Sequence, residues 1–488
     1  MWRSLARANL AYAIGSAANS AASLLLVPFL VHALPPEGYG ALALFEVVIL
    51  LLSMVIVAGL DVGMMRHYWS LEDEALRKRM AGTVLGAVAL WGGVVFLISW
   101  AITQSRMGTA IPGGSWPLVL SAACAWAESC LAVVLGLFRI RERALGFVLL
   151  SSGRMILYLV SAVSFVRLGY GVAGALAGRV AAAVVVLIIA LVTGSGLLSF
   201  RPDMGAFGRV LRYGIPLLPA NLASYVLLAS DRFFLQHFTS LETVAVYTFA
   251  YKVATLLDVA VTRPFALDWA PRRFKIEASA HAASKYAQIG LAYLFVAVTF
   301  ALLIVAATPS VYAWFAPGIY HPGIGIVPVI VGAYLVFGLS YPLNIGIMLR
   351  DKTGYLVWIG VLASAACLGL NSLWIPRYGM QGAAWATAVS YAVWTALIAV
   401  VSLRLYPVRY PWQHAFAVVA VGSMGFLCLQ AYDRAAFAGE GVGALAGKAV
   451  FVLCLSALVG YMLRRQSRVV VKLPEAGFGD PSSSDPRQ

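Results

Sequence analysis

Residues 213–273 read YGIPLLPANLASYVLLASDRFFLQHFTSLETVAVYTFAYKVATLLDVAVTRPFALDWAPRR, and this stretch decides the fold. It is almost entirely apolar and long enough for two membrane spans of about 20 residues each. Yet it contains charged side chains, among them Asp231, Arg232, Lys252, Asp258 and Arg263. A charge near the bilayer centre costs about 2.5–3.5 kcal/mol on insertion scales, so such residues usually face a protein-lined or watery interior. The pattern therefore indicates two membrane helices that line a polar interior.

The rest of the chain is equally apolar. Of its 488 residues, 61% are hydrophobic and only 11% are charged, and the mean hydropathy is +0.87. Apolar runs of at least about 18 residues, which are typical of membrane helices, recur from end to end. A transmembrane barrel would show short alternating segments instead. We therefore predict an all-α polytopic membrane protein with fourteen spans, at residues 9–33, 39–65, 80–103, 115–138, 147–167, 171–195, 212–236, 243–268, 286–309, 324–348, 355–375, 381–403, 412–431 and 444–463.

The net charge of +15 reflects topology rather than a nucleic-acid surface. Alternate loops carry clusters such as Arg77, Lys78 and Arg79, and we call the membrane side that holds these loops the basic side. The opposite loops contain few cations, namely Arg106, Arg167, Arg377 and Arg434. Because Lys and Arg are enriched in cytoplasmic loops, both termini are predicted to be cytoplasmic.

The first half contains several polar groups inside its spans. Small polar residues, Asn19 among them, recur at three- and four-residue spacing in the first span, so one face of that helix is polar. Such a stripe indicates either the wall of a hydrated cavity or close helix packing. Span two carries Glu46 deep in the membrane and Asp61 near its basic end. For Asp61 the alternative is an interfacial ion pair with Arg66.

Spans four, five and six each carry one strong charge: Glu128, Arg154 and Arg179. Either these groups line a cavity, or the arginines pair with Glu128 or Glu46 only to satisfy both charges. In span eight, Lys252 and Arg263 share a stripe, because eleven residues return almost to the same angle on a helix. In span seven, Asn221 and Asp231 share a face that matches the polar stripe of the first span.

The second half of the chain repeats the first. Residues 141–143 (RER) match 350–352 (RDK), and residues 171–175 (GVAGA) match 379–383 (GMQGA). The matched landmarks lie on the same membrane side, which makes a parallel repeat with a pseudo-twofold axis along the membrane normal. We therefore divide the chain into a first half (1–200), a second half (201–408), a helix pair outside the repeat (409–465) and a tail (466–488). The tail is rich in Gly, Pro and Ser and is predicted to be disordered.

Motifs of soluble catalysis are absent from the sequence. No phosphate-binding loop, HExxH, paired CxxC or GxSxG motif occurs, and the cysteines and histidines lack metal-ligand spacing. Every loop is too short for a catalytic domain such as that of a membrane glycosyltransferase, polymerase or ligase. The chain is therefore predicted not to be an enzyme and to need no cofactor or metal.

Four stretches together resemble the bacterial polysaccharide-transport flippases of the multidrug/oligosaccharidyl-lipid/polysaccharide exporter superfamily. They are NLAYAIGSAANSAASLLLVPFLVHALPPEGYGALAL, GLDVGMMRHY, DRFFLQHFTSLETVAVYTFAYKVA and RYGMQGAAWAT, in that order. The resemblance implies two six-helix bundles and a C-terminal helix pair around a central V-shaped cavity, lined mainly by the first two spans of each half. It also implies the bacterial inner membrane, and as substrate an undecaprenyl-pyrophosphate-linked glycan moved between leaflets.

The leading hypothesis is therefore a flippase for undecaprenyl-pyrophosphate-linked oligosaccharide in exopolysaccharide, O-antigen or capsule synthesis. Intramembrane cations would attract the pyrophosphate, with nearby carboxylates as partners or proton carriers. The other expected partners are membrane lipid, a polysaccharide polymerase and glycosyltransferases, with no nucleic acid. The candidate cavity-lining residues are Asn19, Glu46, Asp61, Glu128, Arg154, Arg179, Asn221, Asp231, Arg232, Lys252, Asp258 and Arg263.

Two transport alternatives remain open at this point. A peptidoglycan lipid-precursor flippase moves a substrate that also carries pyrophosphate, so cavity charge does not separate it from the leading hypothesis. A cation-coupled multidrug antiporter is less favoured, because exporters of cationic drugs favour acidic linings and this sequence places cations inside the membrane.

Overall fold

The computed structural model describes residues 22, 25–105, 115–277, 279, 281–435 and 442–470, and nearly all of these are helical. Asn19 and most of the first predicted span lie outside the described residues. The helices are α1 (25–33), α2 (Pro36–Val57), α3 (Leu60–His67), α4 (Glu74–Gln104), α5 (Ser115–Ile140), α6 (Ala144–Phe165), α7 (Gly171–Thr193), α8 (Met204–Gly214), α9 (Leu218–Phe238), α10 (Leu241–Ala254), α11 (Arg263–Glu277), α12 (Ala282–Phe315), α13 (Val327–Gly338), α14 (Ser340–Leu343), α15 (Ile345–Leu349), α16 (Gly354–Leu405), α17 (Trp412–Ala435) and α18 (Val442–Val470).

The described helices agree with fourteen spans. Nine helical segments of the described residues are long and apolar enough to cross a membrane. Two of them, Ala144–Thr193 and Gly354–Leu405, contain a glycine with non-helical dihedrals near the middle and fold back there. In the second, a Cβ at Gly360 would touch the ring of Trp394, which shows that α16 is a hairpin. The described end of α1, together with α9 and α18, supplies the remaining spans.

The repeat predicted from sequence has matching backbone geometry in the structure. Glu142 and Asp351, which the sequence match pairs, both adopt left-handed dihedrals, with φ of 55° and 52°. In each turn the next residue donates its N–H to the carbonyl five residues earlier, at 2.8 and 2.9 Å. Gly171 and Gly379 also agree, with φ/ψ of 52°/−134° and 54°/−132°. These turns are where each half reverses direction, so the halves share one chain path.

The two halves meet most closely where α2 and α10 begin, on the side opposite the basic loops. A Cβ at Gly40 would lie 1.9 Å from the carbonyl oxygen of Leu241, so only glycine allows this approach. Tyr39 packs edge-on against Tyr320 at 6.2 Å in the same region. Toward the basic side the continuations of these helices have different neighbours: α3 packs on α8 and α5, whereas α11 packs on α12. The close approach of α2 and α10 is therefore not continued by α3 and α11, which have different neighbours.

Both of these central helices are broken near the basic side. Span two divides at Ala58 and Gly59, which have φ of 45° and 73°, so the predicted single span is the two helices α2 and α3. The path from α10 to α11 passes through a π-helical turn, Asp258–Thr262. Irregular backbone at membrane depth is tolerated where it is buried in protein or lines a cavity. Both breaks therefore lie where the helices are in contact with protein or with a polar interior rather than with lipid.

The C-terminal pair, α17 and α18, packs on α12. Thr299 of α12 donates a hydrogen bond to Ser456 at 3.0 Å, and Lys448, which is buried, forms an ion pair with Asp433 between the two helices. Helix α18 continues to Val470, so its last turn lies inside the segment predicted as tail. The tail from residue 471 onward lies outside the described residues.

Substituting Gly59 with Ala should destabilise the protein. The new Cβ would meet the carbonyl oxygen of Gly214 at 2.5 Å, and an L-residue at φ +73° carries about 1–2 kcal/mol of strain. The midpoint of thermal unfolding in detergent should fall clearly. G86A is the matched control, since a Cβ at that helical position meets nothing within 4 Å and Ala is favoured there. This packing would be contradicted if the unfolding midpoint of G59A fell no further than that of G86A.

Candidate functional site

An ion pair joins the two halves at the middle of the membrane. Glu46 of α2 and Lys252 of α10 face each other with Oε2 and Nζ 3.5 Å apart. Their side chains are 30% and 34% exposed, so neither is enclosed in the packed core. Within the part of the chain that the structure describes, no other ion pair links the halves. The sequence predicted both residues as cavity-lining but did not predict that they pair.

A second cluster lies within the first half, on three adjacent helices. Arg179 of α7 donates two hydrogen bonds to the carboxylate of Glu128 on α5, both at 3.0 Å. Arg154 of α6 donates to the same carboxylate at 2.5 Å. The alternative in which the arginines pair with Glu128 is therefore present in the structure. Because two guanidinium groups share one carboxylate, the cluster retains one net positive charge.

The two clusters are electrostatically connected. The carboxylate of Glu46 lies within electrostatic range of Arg179 as well as of Lys252. The guanidinium of Arg179 also lies 5.9 Å from the ring of Tyr158, whose hydroxyl is buried and has no hydrogen-bond partner among the described residues. Positive and negative groups thus alternate from α10 through α2, α7 and α5 to α6, with a cation at each end.

Asp231 and Arg232 of α9 lie at the contact with α10. They are only 3% and 8% exposed. Asp231 accepts a hydrogen bond from the hydroxyl of Tyr247 at 2.6 Å and pairs with Arg232 at 3.0 Å. The guanidinium of Arg232 lies 4.5 Å from the ring centre of Tyr251. In this conformation the pair therefore holds α9 against α10 inside the protein. Its role in lining the cavity stays a prediction.

A third pair spans the π-helical turn between α10 and α11. Arg263 donates its Nε–H to Asp258 Oδ2 at 2.7 Å, and its side chain is 66% exposed on the way to the basic side. Such turns are frequent at functional sites. The predicted stripe of Lys252 and Arg263 is interrupted here, because the helix is not regular between them.

The other predicted residues are not brought into these clusters. Asp61 is partly exposed on α3 and forms no ion pair with Arg66 or with any other described residue. Asn221 is exposed on α9 and has no hydrogen-bond partner in the described ranges. Asn19 lies outside the described residues.

Sequence reasoning missed the tyrosines around the charged groups. Tyr225 of α9 donates to the carbonyl of Val47 at 2.9 Å, next to Glu46, and so ties the second half to α2. Tyr251 is within 3.2 Å of the hydroxyl of Tyr391. A tyrosine in an apolar helix resembles any core aromatic, and only its nearness to a charged residue in sequence could have indicated this role.

Comparison with known proteins identifies the family. The profile of the family described as polysaccharide biosynthesis protein matches residues 5–277, more than half of the chain. The chain belongs to this family. A comparison with curated proteins found no match.

Solved structures show the same fold at low identity. The lipid II flippase MurJ in an inward closed conformation superposes with a TM-score of 0.74 at 11% identity, covering 94% of this chain and 99% of that one. A point mutant of the MATE transporter VcmN of Vibrio cholerae has a TM-score of 0.55 at 14% identity and covers 83% and 98%. A multidrug/oligosaccharidyl-lipid/polysaccharide superfamily transporter from Pyrococcus furiosus has a TM-score of 0.57 at 18% identity, covering 82% and 95%.

These findings confirm several predictions from sequence. The family, the all-helical polytopic fold and the resemblance to the exporter superfamily agree with the match and with the superpositions. The solved structures that share this fold are a lipid II flippase and membrane transporters. The family match and the superpositions do not identify the substrate of this protein.

Replacing Glu128 with Gln should destabilise the protein more than replacing Arg154 with Gln. E128Q leaves two guanidinium groups without a counter-charge, and leaving a buried charge unpaired costs about 3–5 kcal/mol. R154Q leaves the bidentate contact of Arg179 in place. The yield of monodisperse protein and the unfolding midpoint should therefore fall further for E128Q. Equal losses would contradict the shared-carboxylate arrangement.

Proposed function

We propose that the protein flips an undecaprenyl-pyrophosphate-linked oligosaccharide across the bacterial cytoplasmic membrane, for exopolysaccharide, O-antigen or capsule synthesis. One observation carries this proposal: partly exposed cations lie inside the transmembrane region, and one of them stands where the two halves meet. A pyrophosphate crossing a bilayer needs such charges, whereas its polyprenyl tail can remain in lipid.

The ion-paired clusters with partly exposed side chains carry one more cation than carboxylates, which favours an anionic substrate. Four cations stand against three carboxylates in these clusters, namely Arg154, Arg179, Lys252 and Arg263 against Glu46, Glu128 and Asp258. Opposite unit charges 4 Å apart attract by about 4 kcal/mol at the effective dielectric typical near a protein surface. Even one uncompensated cation therefore contributes usefully to binding a pyrophosphate.

Lys252 is the cation best placed to change partners. Its contact with Glu46 is the longest of the intramembrane pairs at 3.5 Å, and a lysine ammonium on a flexible stem reorients easily. Arg179 is fixed by two hydrogen bonds to Glu128 and is correspondingly less free. We therefore assign the first contact with the pyrophosphate to Lys252. Arg154, which has a single hydrogen bond to Glu128, is the second contact.

The arrangement of the halves supports alternating access. The halves approach closely opposite the basic side, where Gly40 meets the carbonyl of Leu241, which fits a state that takes substrate from the cytoplasm. In this proposal both termini and the basic loops are cytoplasmic. Rocking of one half against the other would then open the opposite side. Glycosyltransferases would supply the substrate, and a polysaccharide polymerase would consume it.

A peptidoglycan lipid-precursor flippase is the alternative that the same geometry allows, since its substrate also carries a pyrophosphate. Essentiality of the gene separates the two: loss of the only peptidoglycan-precursor flippase is lethal, whereas loss of a polysaccharide flippase removes a surface glycan. The excess of one cation over the carboxylates in the ion-paired clusters argues against an exporter of cationic drugs.

Replacing Lys252 with Gln should reduce the glycan-lipid that reaches the outer leaflet of cells by about tenfold or more, because a charge-assisted hydrogen bond contributes about 1.5–3 kcal/mol. K252R should retain much of the activity, and R154Q should be intermediate. R272Q is the matched control, since Arg272 is an exposed basic-side residue paired with Asp268 outside the clusters named above. Unchanged translocation by K252Q at normal protein levels would remove Lys252 from the proposal.

A further inference from the structure

Helix α8, Met204–Gly214, joins the two halves and takes no part in the proposed cavity. Its eleven residues extend for about 16 Å, roughly half of the 30 Å hydrocarbon core, so it does not cross the membrane. Asp203 begins it by accepting a hydrogen bond from the N–H of Ala206 at 2.9 Å.

One face of α8 is fixed to the basic end of the first half. Its buried residues, Ala206, Val210 and Gly214, recur every fourth position. A Cβ at Gly63 of α3 would lie 2.5 Å from the carbonyl oxygen of Val210, which shows how closely the two backbones approach. The ring of Tyr213 also packs edge-on against His67 at 6.0 Å. The helix therefore lies at the level where α3 ends, on the basic side.

The remaining surface of α8 has a basic flank and an apolar flank. Arg209 and Arg212 are exposed on one flank, and neither forms an ion pair or hydrogen bond with a described residue. Met204 is exposed and Phe207 is partly exposed on the other flank, about 80–160° away around the helix axis at 100° per residue. Phe200, just before the helix, is also exposed. Apolar and cationic side chains thus stand side by side on a helix at the membrane surface.

We propose that α8 is an interfacial helix that binds anionic phospholipid headgroups of the basic-side leaflet. A helix with an apolar face and Lys or Arg on its polar face lies in the interface, with its apolar residues among acyl chains and its cations near anionic headgroups. Arg209 and Arg212 make the headgroup contacts, while Met204, Phe207 and Phe200 enter the lipid. The pairing of apolar and basic flanks favours a lipid surface over a soluble phosphate, which would use only the arginines.

This interaction concerns the linker between the halves. The chain leaves α8 through the short turn Ile215–Leu217 and enters α9 of the second half. Because α8 is packed on α3, a bound headgroup holds the linker with the first half. Movement between the halves is then confined to the turn Ile215–Leu217. The transport cycle therefore depends on anionic lipid in the basic-side leaflet.

The test is lipid binding by the purified full-length protein, which needs no transport assay. Short-chain phosphatidylglycerol is titrated into protein in a neutral detergent, and binding is followed by the thermal unfolding midpoint and by thermophoresis. Phosphatidylcholine of the same chain length and inorganic phosphate form the comparison arms. We expect saturable binding of phosphatidylglycerol alone. The affinity of R209Q/R212Q for this lipid should be weaker by about fivefold or more, since each of the two cations removed contributes a factor of about five.

Matched variants separate specific binding from general charge and from misfolding. R272Q/R404Q removes the same charge from exposed positions on the same side and should bind as the natural protein does. R209K/R212K keeps both charges and should retain binding. An unchanged affinity in R209Q/R212Q, or an equal loss in R272Q/R404Q, would overturn the proposal, as would inorganic phosphate that competes as effectively as the lipid. Because binding is measured without substrate, failure here leaves the proposed flippase activity to its own test.

Discussion

A charge placed inside a membrane must find a partner, and this constraint organises the centre of the protein. Among the described residues, each candidate intramembrane cation has a carboxylate within 4 Å. The other pairs lie within one half, and the two that share Glu128 join three of its helices. The pair of Glu46 and Lys252 differs because its partners belong to different halves. Any motion that separates α2 from α10 must break it, and an incoming anion can replace the carboxylate.

Sequence patterns predicted the parts of this structure that depend on local chemistry or on repetition. The matched residues Glu142 and Asp351, like Gly171 and Gly379, turned out to share backbone dihedrals because the same turn recurs in each half. The fourteen spans followed from apolar length, and the charged residues inside them were visible as exceptions. Helical spacing also indicated which residues of one helix share a face.

Contacts between helices could not be predicted from the sequence, since the spacing of residues along one helix does not indicate which helix packs next to it. Arg154 and Arg179 were candidates for two different carboxylates, and only packing showed that both bind Glu128. The break at Gly59 was also missed, because glycine is common in membrane helices and because its close approach to Gly214 of α8 joins residues far apart in the sequence. Asp231 was predicted in the lining, but the tyrosines that enclose it come from α10.

The central claim is that the cavity moves lipid-linked glycans by means of their pyrophosphate charge. Reconstitution tests it most directly: the purified protein is placed in vesicles that carry a fluorescent polyprenyl glycan in one leaflet, and the fraction accessible to a membrane-impermeant quencher on the other side is followed over time. The pyrophosphate-linked glycan should cross faster than in protein-free vesicles, and the same glycan linked through an uncharged ether should not. Equal rates for the two lipids, or no protein-dependent movement of the pyrophosphate-linked one, would contradict the claim.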